Sequence, residues 1–412
     1  MGFNKRFSFI PRMHQKRLLP VLLMLAALIT GVIAEPVNVK LVWKARSVSG
    51  VAYSTCAGDG LVYVVGYTGD RSSPQTWIEA RRATDGQLVR NASVGPGTLY
   101  SCSYSGGKLL VSGTGSDGRW LIGALTGTLV PERVLAGVKG TATSIAVKGD
   151  SVFITGVDFE NAWVRVEERR ASDLSLIKSY QSMTTNTYAF TSTITNNSLW
   201  LAGAAYTGTE FTWRLESLSL DLNSTLRLRP SIRGLAYSIS ASDKGVVYVT
   251  GPNGTLALSS NGDILSTANI GGGKIAVLDG VLAVFSSKDK NRLILLNATD
   301  LSLISTIELS ENPGVESYGA ASTINKTIFF AGAEKNGEKT VWSVYSVEVS
   351  VSRQVHPQSL PEPSKENSTS SGKPSQAPPS VQPVPITDYV SPILMTATIL
   401  LAVIVARRKK RR

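Results

Sequence analysis

Leu61-Val-Tyr-Val-Val-Gly66 is a short apolar, β-branched run that ends on glycine, and the chain repeats it. Leu109-Leu-Val-Ser-Gly113, Val152-Phe-Ile-Thr-Gly156, Leu199-Trp-Leu-Ala-Gly203 and Val247-Tyr-Val-Thr-Gly251 follow it. Leu282-Ala-Val-Phe-Ser286 and Ile328-Phe-Phe-Ala-Gly332 complete seven copies. The first five glycines are spaced 47, 43, 47 and 48 residues apart. Self-similarity at that period, with several short strands per copy, predicts an all-β fold, a seven-bladed β-propeller.

Each copy reads as four strands. In the first, residues 51–56 form inner strand A, 61–65 strand B, 77–83 strand C and 87–92 outer strand D. Gly58-Asp-Gly60 and Thr84-Asp-Gly86 punctuate them. The second turn recurs as Ala171-Ser-Asp173, Asp221-Leu-Asn223, Asn261-Gly-Asp263 and Ala298-Thr-Asp300. In this pattern residues 37–351 resemble the repeat propellers related to quinoprotein and WD40-like domains. The resemblance is architectural, because the Trp-Asp signature and a quinoprotein docking motif are missing. The seventh copy offers A (317–324), B (327–331) and C (340–349) and then lacks a D strand. An unclaimed strand precedes the first copy at residues 39–45. That strand is expected to complete the last blade and remove an open sheet edge.

The termini point to export and anchoring. Residues 1–34 carry five cations, an apolar run and small residues at a cleavage position, which predicts a signal peptide cut at Ala34/Glu35. An uncleaved anchor helix is the alternative. Residues 35–351 are then the propeller ectodomain. Residues 352–388 hold eight prolines and little large apolar surface, as expected of a disordered stalk. Residues 389–406 lack charge and suffice for a transmembrane helix, and 407–412 form a basic cytoplasmic tail. The expected localisation is the cell membrane, single-pass type I, propeller outside.

The net charge of +12 suits neither DNA nor RNA binding once its distribution is considered. Eleven of the cations lie in the terminal segments. Between them the chain carries about +2, so a nucleic-acid partner has no support.

Histidine is absent from the propeller; the two in the chain are His14 and His356. That removes histidine-based acid/base catalysis and the common zinc sets. Asp59, Asp117, Asp263 and Asp289 lie in loops without calcium-loop spacing, so no metal and no cofactor is expected. The remaining acids are scattered and reveal no catalytic pair. Cys56 and Cys102 fall on the A strands of the first two copies. A disulfide is the expected state and two buried thiols the alternative. Bridging needs Cα atoms within about 7 Å, while adjacent blades diverge. Trp77, Trp120, Trp163, Trp213 and Trp342 each open a C strand and are expected to fill the wedges between blades.

Tyr53, Tyr100, Tyr188, Tyr237 and Tyr318 open five of the A strands. They are expected near the channel mouth, as inter-blade packing or as an aromatic collar for a sugar or peptide. Asp70, Arg71 and Glu210 lie in loops on the same side and complete the candidate ligand-binding set. N-glycosylation sequons begin at Asn91, Asn196, Asn223, Asn253, Asn297, Asn325 and Asn367. Most fall in A–B and C–D turns, which leaves the opposite, B–C/D–A face for a partner. The function expected is noncatalytic recognition or scaffolding of a protein or glycan partner at the cell envelope. A propeller enzyme acting on polysaccharide is the main rival, and a quinoprotein electron-transfer protein the third.

Overall fold

The structure, a computed structural model, describes residues 37–351 apart from 161, 162, 183, 185, 288, 316 and 317. The signal peptide, stalk, transmembrane segment and tail expected from the sequence, together with Asn367, lie outside the described residues. Every named element is a strand. Among the described residues no helix is long and apolar enough to cross a membrane.

Antiparallel pairing groups the strands in fours. The C-terminal half of β1 (Val37–Gly58) pairs with β2 (Leu61–Thr68), then β3 (Gln75–Arg82) and β4 (Leu88–Ala92). Next come β5 (Gly97–Ser105), β6 (Lys108–Gly115), β7 (Arg119–Thr126) and the first half of β8 (Pro131–Lys148). The second half of β8 opens a unit with β9 (Ser151–Asp158), β10 (Trp163–Arg170) and β11 (Leu176–Gln181). Two separate sheets follow. One holds β12 (Thr187–Ile194), β13 (Ser198–Tyr206), β14 (Phe211–Ser219) and β15 (Ser224–Leu228). The other holds β16 (Ser238–Ala241), β17 (Val247–Gly251), β18 (Gly254–Leu258) and β19 (Ile264–Ala268). Then β20 (Lys274–Leu278), β21 (Val281–Ser286), β22 (Lys290–Asn297) and β23 (Leu303–Val315) pair in order. The last unit is β24 (Ser322–Ile324), β25 (Thr327–Asn336), β26 (Lys339–Val351) and the N-terminal half of β1.

The N-terminal strand therefore pairs with the C-terminal one, with Val39 opposite Val349 and Ala45 opposite Val344. Its sequence alternation explains the fit. Val37 and Val39 pack on the apolar cluster of Phe330, Tyr345 and Val347, while Lys40 is exposed.

Two features depart from the sequence reading. Residues 39–45 and 51–56 are not separate strands: β1 runs unbroken through both, from one unit into the next. The pivot is Gly50 at φ +134°, where a Cβ would lie 2.1 Å from the Tyr67 carbonyl oxygen. Gly140, at φ +148°, does the same within β8. The left-handed backbone at these positions favours glycine. The A strand of the last copy is also shorter than expected, since β24 covers only Ser322–Ile324 and Tyr318 lies ahead of it.

The repeated glycine has a packing role. Trp120, Trp213 and Trp342 are fully buried between units. A Cβ on Gly156, Gly251 or Gly66 would fall 2.8, 2.9 and 2.9 Å respectively from the Cζ2 atom of these rings. The indole of one unit thus occupies the space that the glycine of the next leaves open. The Trp120 Nε1 donates to the Val157 carbonyl at 3.0 Å, and the Trp342 Nε1 to that of Tyr67 at 2.8 Å. Trp77 differs: it is half-buried and its Nε1 donates to Glu79 at 3.2 Å. The side chain of Trp163 lies outside the described residues.

Inner strands are tied to one another by short polar side chains. The Ser101 Oγ accepts the Ile145 amide at 3.2 Å, Ser144 that of Ser192 at 3.0 Å, and Ser238 that of Ile275 at 3.2 Å. Buried amides between units are thereby satisfied without a continuous ladder. Cys56 and Cys102 add a covalent tie: they form a disulfide, with Cα atoms 5.8 Å apart.

Candidate functional site: an aromatic plug on the inner strands

The site begins with a backbone irregularity. Opposite the repeated glycine of the first four units, the A strand carries a β-bulge. Ala52 pairs with Gly66 and Ser54 with Val65, which leaves Tyr53 unpaired. Register shifts in the same place leave Tyr100, Thr143 and Phe190 unpaired in the next three units. A bulge turns its extra side chain away from the ladder. Here the rings of Tyr53, Tyr100 and Phe190 meet rings from other units, while the Thr143 hydroxyl donates to the Ala189 carbonyl at 2.9 Å.

The Tyr53 ring lies 5.0 Å from that of Tyr100 and 5.5 Å from that of Tyr318. Tyr318 is 5.8 Å from Tyr237 and 6.2 Å from Phe190. These rings come from five units spread over the chain. Their mutual contact shows that the inner strands converge on one axis. Tyr53, Tyr100, Tyr237 and Phe190 are buried. The rings form a plug rather than an open collar.

Burial has an electrostatic consequence. It pushes the Tyr100 hydroxyl up to about 12, and raises Tyr53 and Tyr318 well above the usual phenol value. Neighbouring tyrosines add to the rise, and the Arg71 guanidinium opposes it at all three. Tyr67, 6.3 Å from Tyr53, is raised by burial and lowered by Arg71. Arg71 is therefore the cation whose field reaches this end of the plug.

The candidate residues divide accordingly. Tyr53, Tyr100, Tyr237 and Tyr318 come together. Tyr188 is offset: it pairs with Ala204 in the ladder and touches Phe190 and Phe211 at 6.5 and 5.9 Å. Phe190 occupies the position expected of it. The signal for Phe190 was present in the sequence, because it stands thirteen residues before Gly203, as Tyr53 does before Gly66. Asp70 and Arg71 are exposed in the turn between β2 and β3, where the Asp70 carbonyl accepts the Ser73 amide at 3.1 Å. Glu210 sits in the turn between β13 and β14, paired with Arg233 at 3.0 Å. Asn91, Asn196, Asn223, Asn253 and Asn325 are exposed and Asn297 partly so.

A second polar system escaped the sequence reading. Glu79, Glu167, Glu216 and Glu334 are almost wholly buried. Arg81 bonds Glu79 at 2.8 Å and the Gly86 carbonyl at 2.8 Å; Arg169 repeats this with Glu167 and the Leu174 carbonyl at 2.8 and 2.7 Å. The arginine caps the turn into the outer strand, and the glutamate holds the arginine. Glu216 accepts from Arg214 at 2.6 Å, Arg227 at 2.8 Å and Tyr180 at 2.5 Å. Buried carboxylates with full hydrogen-bonding partners are structural elements by this geometry.

The chain matches no family model, and no curated protein matches it. Among solved structures, it is similar to the crystal structure of the WD40 β-propeller domain of Doa1. The TM-score is 0.55 at 14% identity, over 75% of this chain and 97% of that one. The fold is a WD40-like β-propeller. At that identity the likeness concerns architecture alone, in agreement with the repeat, the four-stranded units and the converging inner strands. The plug thus closes the propeller's axis toward the face that carries the β2–β3 and β13–β14 turns.

Proposed function

We propose that this chain is a noncatalytic recognition or scaffolding protein of the cell surface. In this reading it is a seven-bladed propeller carrying N-linked glycans. It is exported by residues 1–34, held on a stalk at 352–388 and anchored by a single span at 389–406. A protein or glycan partner binds the B–C/D–A face.

The aromatic plug carries the reading. A propeller enzyme uses an open axial cleft, whereas here packed rings fill the position such a cleft would take. Recognition then falls to the loops around the plug, where rigid strands present variable side chains. Asp70, Arg71 and Glu210 lie in those loops. A glycosidase would require two carboxylates facing each other across a substrate. The buried glutamates described above are each held by arginine or lysine, which weighs against that rival. The sequons at Asn196, Asn223, Asn297 and Asn325 fall in turns on the opposite face, where glycans would obstruct close protein contact.

The test is affinity capture with the full-length, glycosylated protein, followed by charge reversal. Reversal at Asp70, Arg71 and Glu210 is expected to weaken capture, and changes in the turns at Asn223 and Asn297 to leave it intact. The opposite pattern would overturn the assignment. Protease protection in sealed vesicles tests the topology, with residues 407–412 expected to be shielded.

A further inference from the structure

Large apolar side chains left exposed on the described residues are concentrated at one place in the repeat. With the exception of Tyr206, they lie on or beside outer strands. An outer strand also has one edge without a neighbouring strand, so its backbone donors and acceptors on that side are bonded only to water. Proteins commonly protect such edges with charge. This chain does so almost throughout: Arg90 lies on β4, Arg133 on β8, Lys178 on β11, Arg227 on β15, Glu308 on β23 and Lys44 on β1.

β19 is the exception. Its sequence, Ile264-Leu-Ser-Thr-Ala268, holds no charge. Among the described residues it pairs with β18 alone. Ile264 and Leu265 are 56% and 53% exposed, among the most exposed aliphatic side chains described. The central Ser266 donates its hydroxyl to the Asp300 carbonyl at 2.6 Å, in the β22–β23 turn of the next unit, and so needs no outside partner.

We propose that β19 is a self-association site, at which it pairs antiparallel with β19 of a second copy of this chain. The choice of occupant rests on backbone and charge. A free strand edge is satisfied pair by pair only by another extended strand. In an antiparallel pairing centred on Ser266, Ile264 faces Ala268 of the partner copy and Leu265 faces its Thr267. Each large side chain meets a small one, and no charge is desolvated. The same pairing of β4 would place Arg90 against its own copy, which is unfavourable. Of the outer strands, β19 is thus the one whose self-pairing brings no charged side chain into the interface. Five residues per copy make an interface well below the standard size, so the dimer is expected to be weak and concentration-dependent. This inference is independent of the proposed surface function.

The experiment uses the full-length protein, in density-matched detergent. Sedimentation over a wide concentration range is expected to show a monomer–dimer equilibrium. Leu265→Lys should weaken it at least tenfold; this side chain is half-exposed, and an unchanged melting temperature would verify the fold. Ser266→Cys should yield a disulfide-linked dimer on mild oxidation, several-fold faster than Arg90→Cys on the charged strand. A protein monomeric at every concentration would overturn the proposal, as would a dimer indifferent to Leu265→Lys. Equal cross-linking at positions 266 and 90, or capture of a different polypeptide at β19 while the chain stays monomeric, would do the same.

Discussion

Arg46 and Glu334 stand 288 residues apart in the chain and are joined by two hydrogen bonds, of 3.0 and 2.8 Å. Arg46 belongs to the N-terminal strand and Glu334 to β25, so the pair spans the point at which the propeller closes. Lys44 adds an ion pair at 2.7 Å, and Tyr345 donates to the same carboxylate while receiving a bond from Asn291 at 2.8 Å. Hydrophobic pairing of β1 with β26 is thereby supplemented by a charge cluster around the buried Glu334.

Glu334→Gln is expected to destabilise the protein by about 2 kcal/mol, less than a fully buried pair, because Lys44 and Arg46 are partly exposed and can turn to water. Urea unfolding measures it. Acid should act in the same way. Burial pushes the Glu334 carboxyl up, but bonds from Lys44, Tyr345, Ser310 and Arg46 outweigh it and hold the group at about 2. Its folded value is depressed, so its contribution is complete above the ordinary glutamate range and is lost as pH falls through that range toward 2. Glu334→Gln should flatten this acid limb of the stability profile; an unchanged limb would count against the closing cluster.

Removing the closing strand should have a larger effect. A chain beginning at Gly50 exposes the apolar edge of β26 and uncovers the cluster that includes Phe330 and Val347, against which Val37 and Val39 pack. Its thermal transition is expected to be lower and broader than that of a chain beginning at Glu35. Coincident melting curves would argue that β1 does not hold the propeller shut.

The tryptophan wedges should be unequal. Trp120→Ala and Trp342→Ala each remove a fully buried ring and a hydrogen bond, a loss of roughly 3–5 kcal/mol. Trp77→Ala removes a half-buried ring and should cost less than half as much. Denaturant midpoints of the three variants, taken with their slopes, provide the comparison.

The disulfide links residues 46 apart in sequence. Chain entropy alone assigns a loop of that length about 4 kcal/mol, a figure that native-state effects commonly reduce. The Cys56→Ser/Cys102→Ser double variant is expected to melt well below the parent under oxidising conditions. In reductant sufficient to open the bond, the two should converge.

The plug should be visible in an alkaline titration. Folded values of Tyr53, Tyr100 and Tyr318 are raised, so their contribution is complete below the ordinary tyrosine value near 10 and is lost as pH rises through the folded values. Burial also raises Tyr63, Tyr104, Tyr180, Tyr248 and Tyr345, so the late phenolate absorbance should hold these as well as the plug, which ionises only with unfolding. Tyr318→Phe should remove one of these late protons.

Much of this architecture is written locally. An apolar run ending in glycine, a polar turn and a second apolar run report a strand pair wherever they occur, because side-chain alternation and turn chemistry act over a few residues. Recurrence of that pattern from Gly66 to Gly332 was enough to predict a ring of blades and to single out the spare strand ahead of the first. The tyrosines were legible for the same reason. What could not be read was anything set by residues meeting across the ring. Phe190 itself was legible, thirteen residues before Gly203 as Tyr53 is before Gly66, but its ring contact with Tyr318 at 6.2 Å joins strands far apart in the chain and was not. Glu334 finds Lys44 and Arg46 only once the first and last strands lie side by side. Residues within β1 looked like two strands because local patterning is blind to a pivot that packing against Tyr67 imposes at Gly50. Short-range chemistry therefore specified the repeating unit, and ring closure, by bringing distant residues into contact, specified what each unit surrounds.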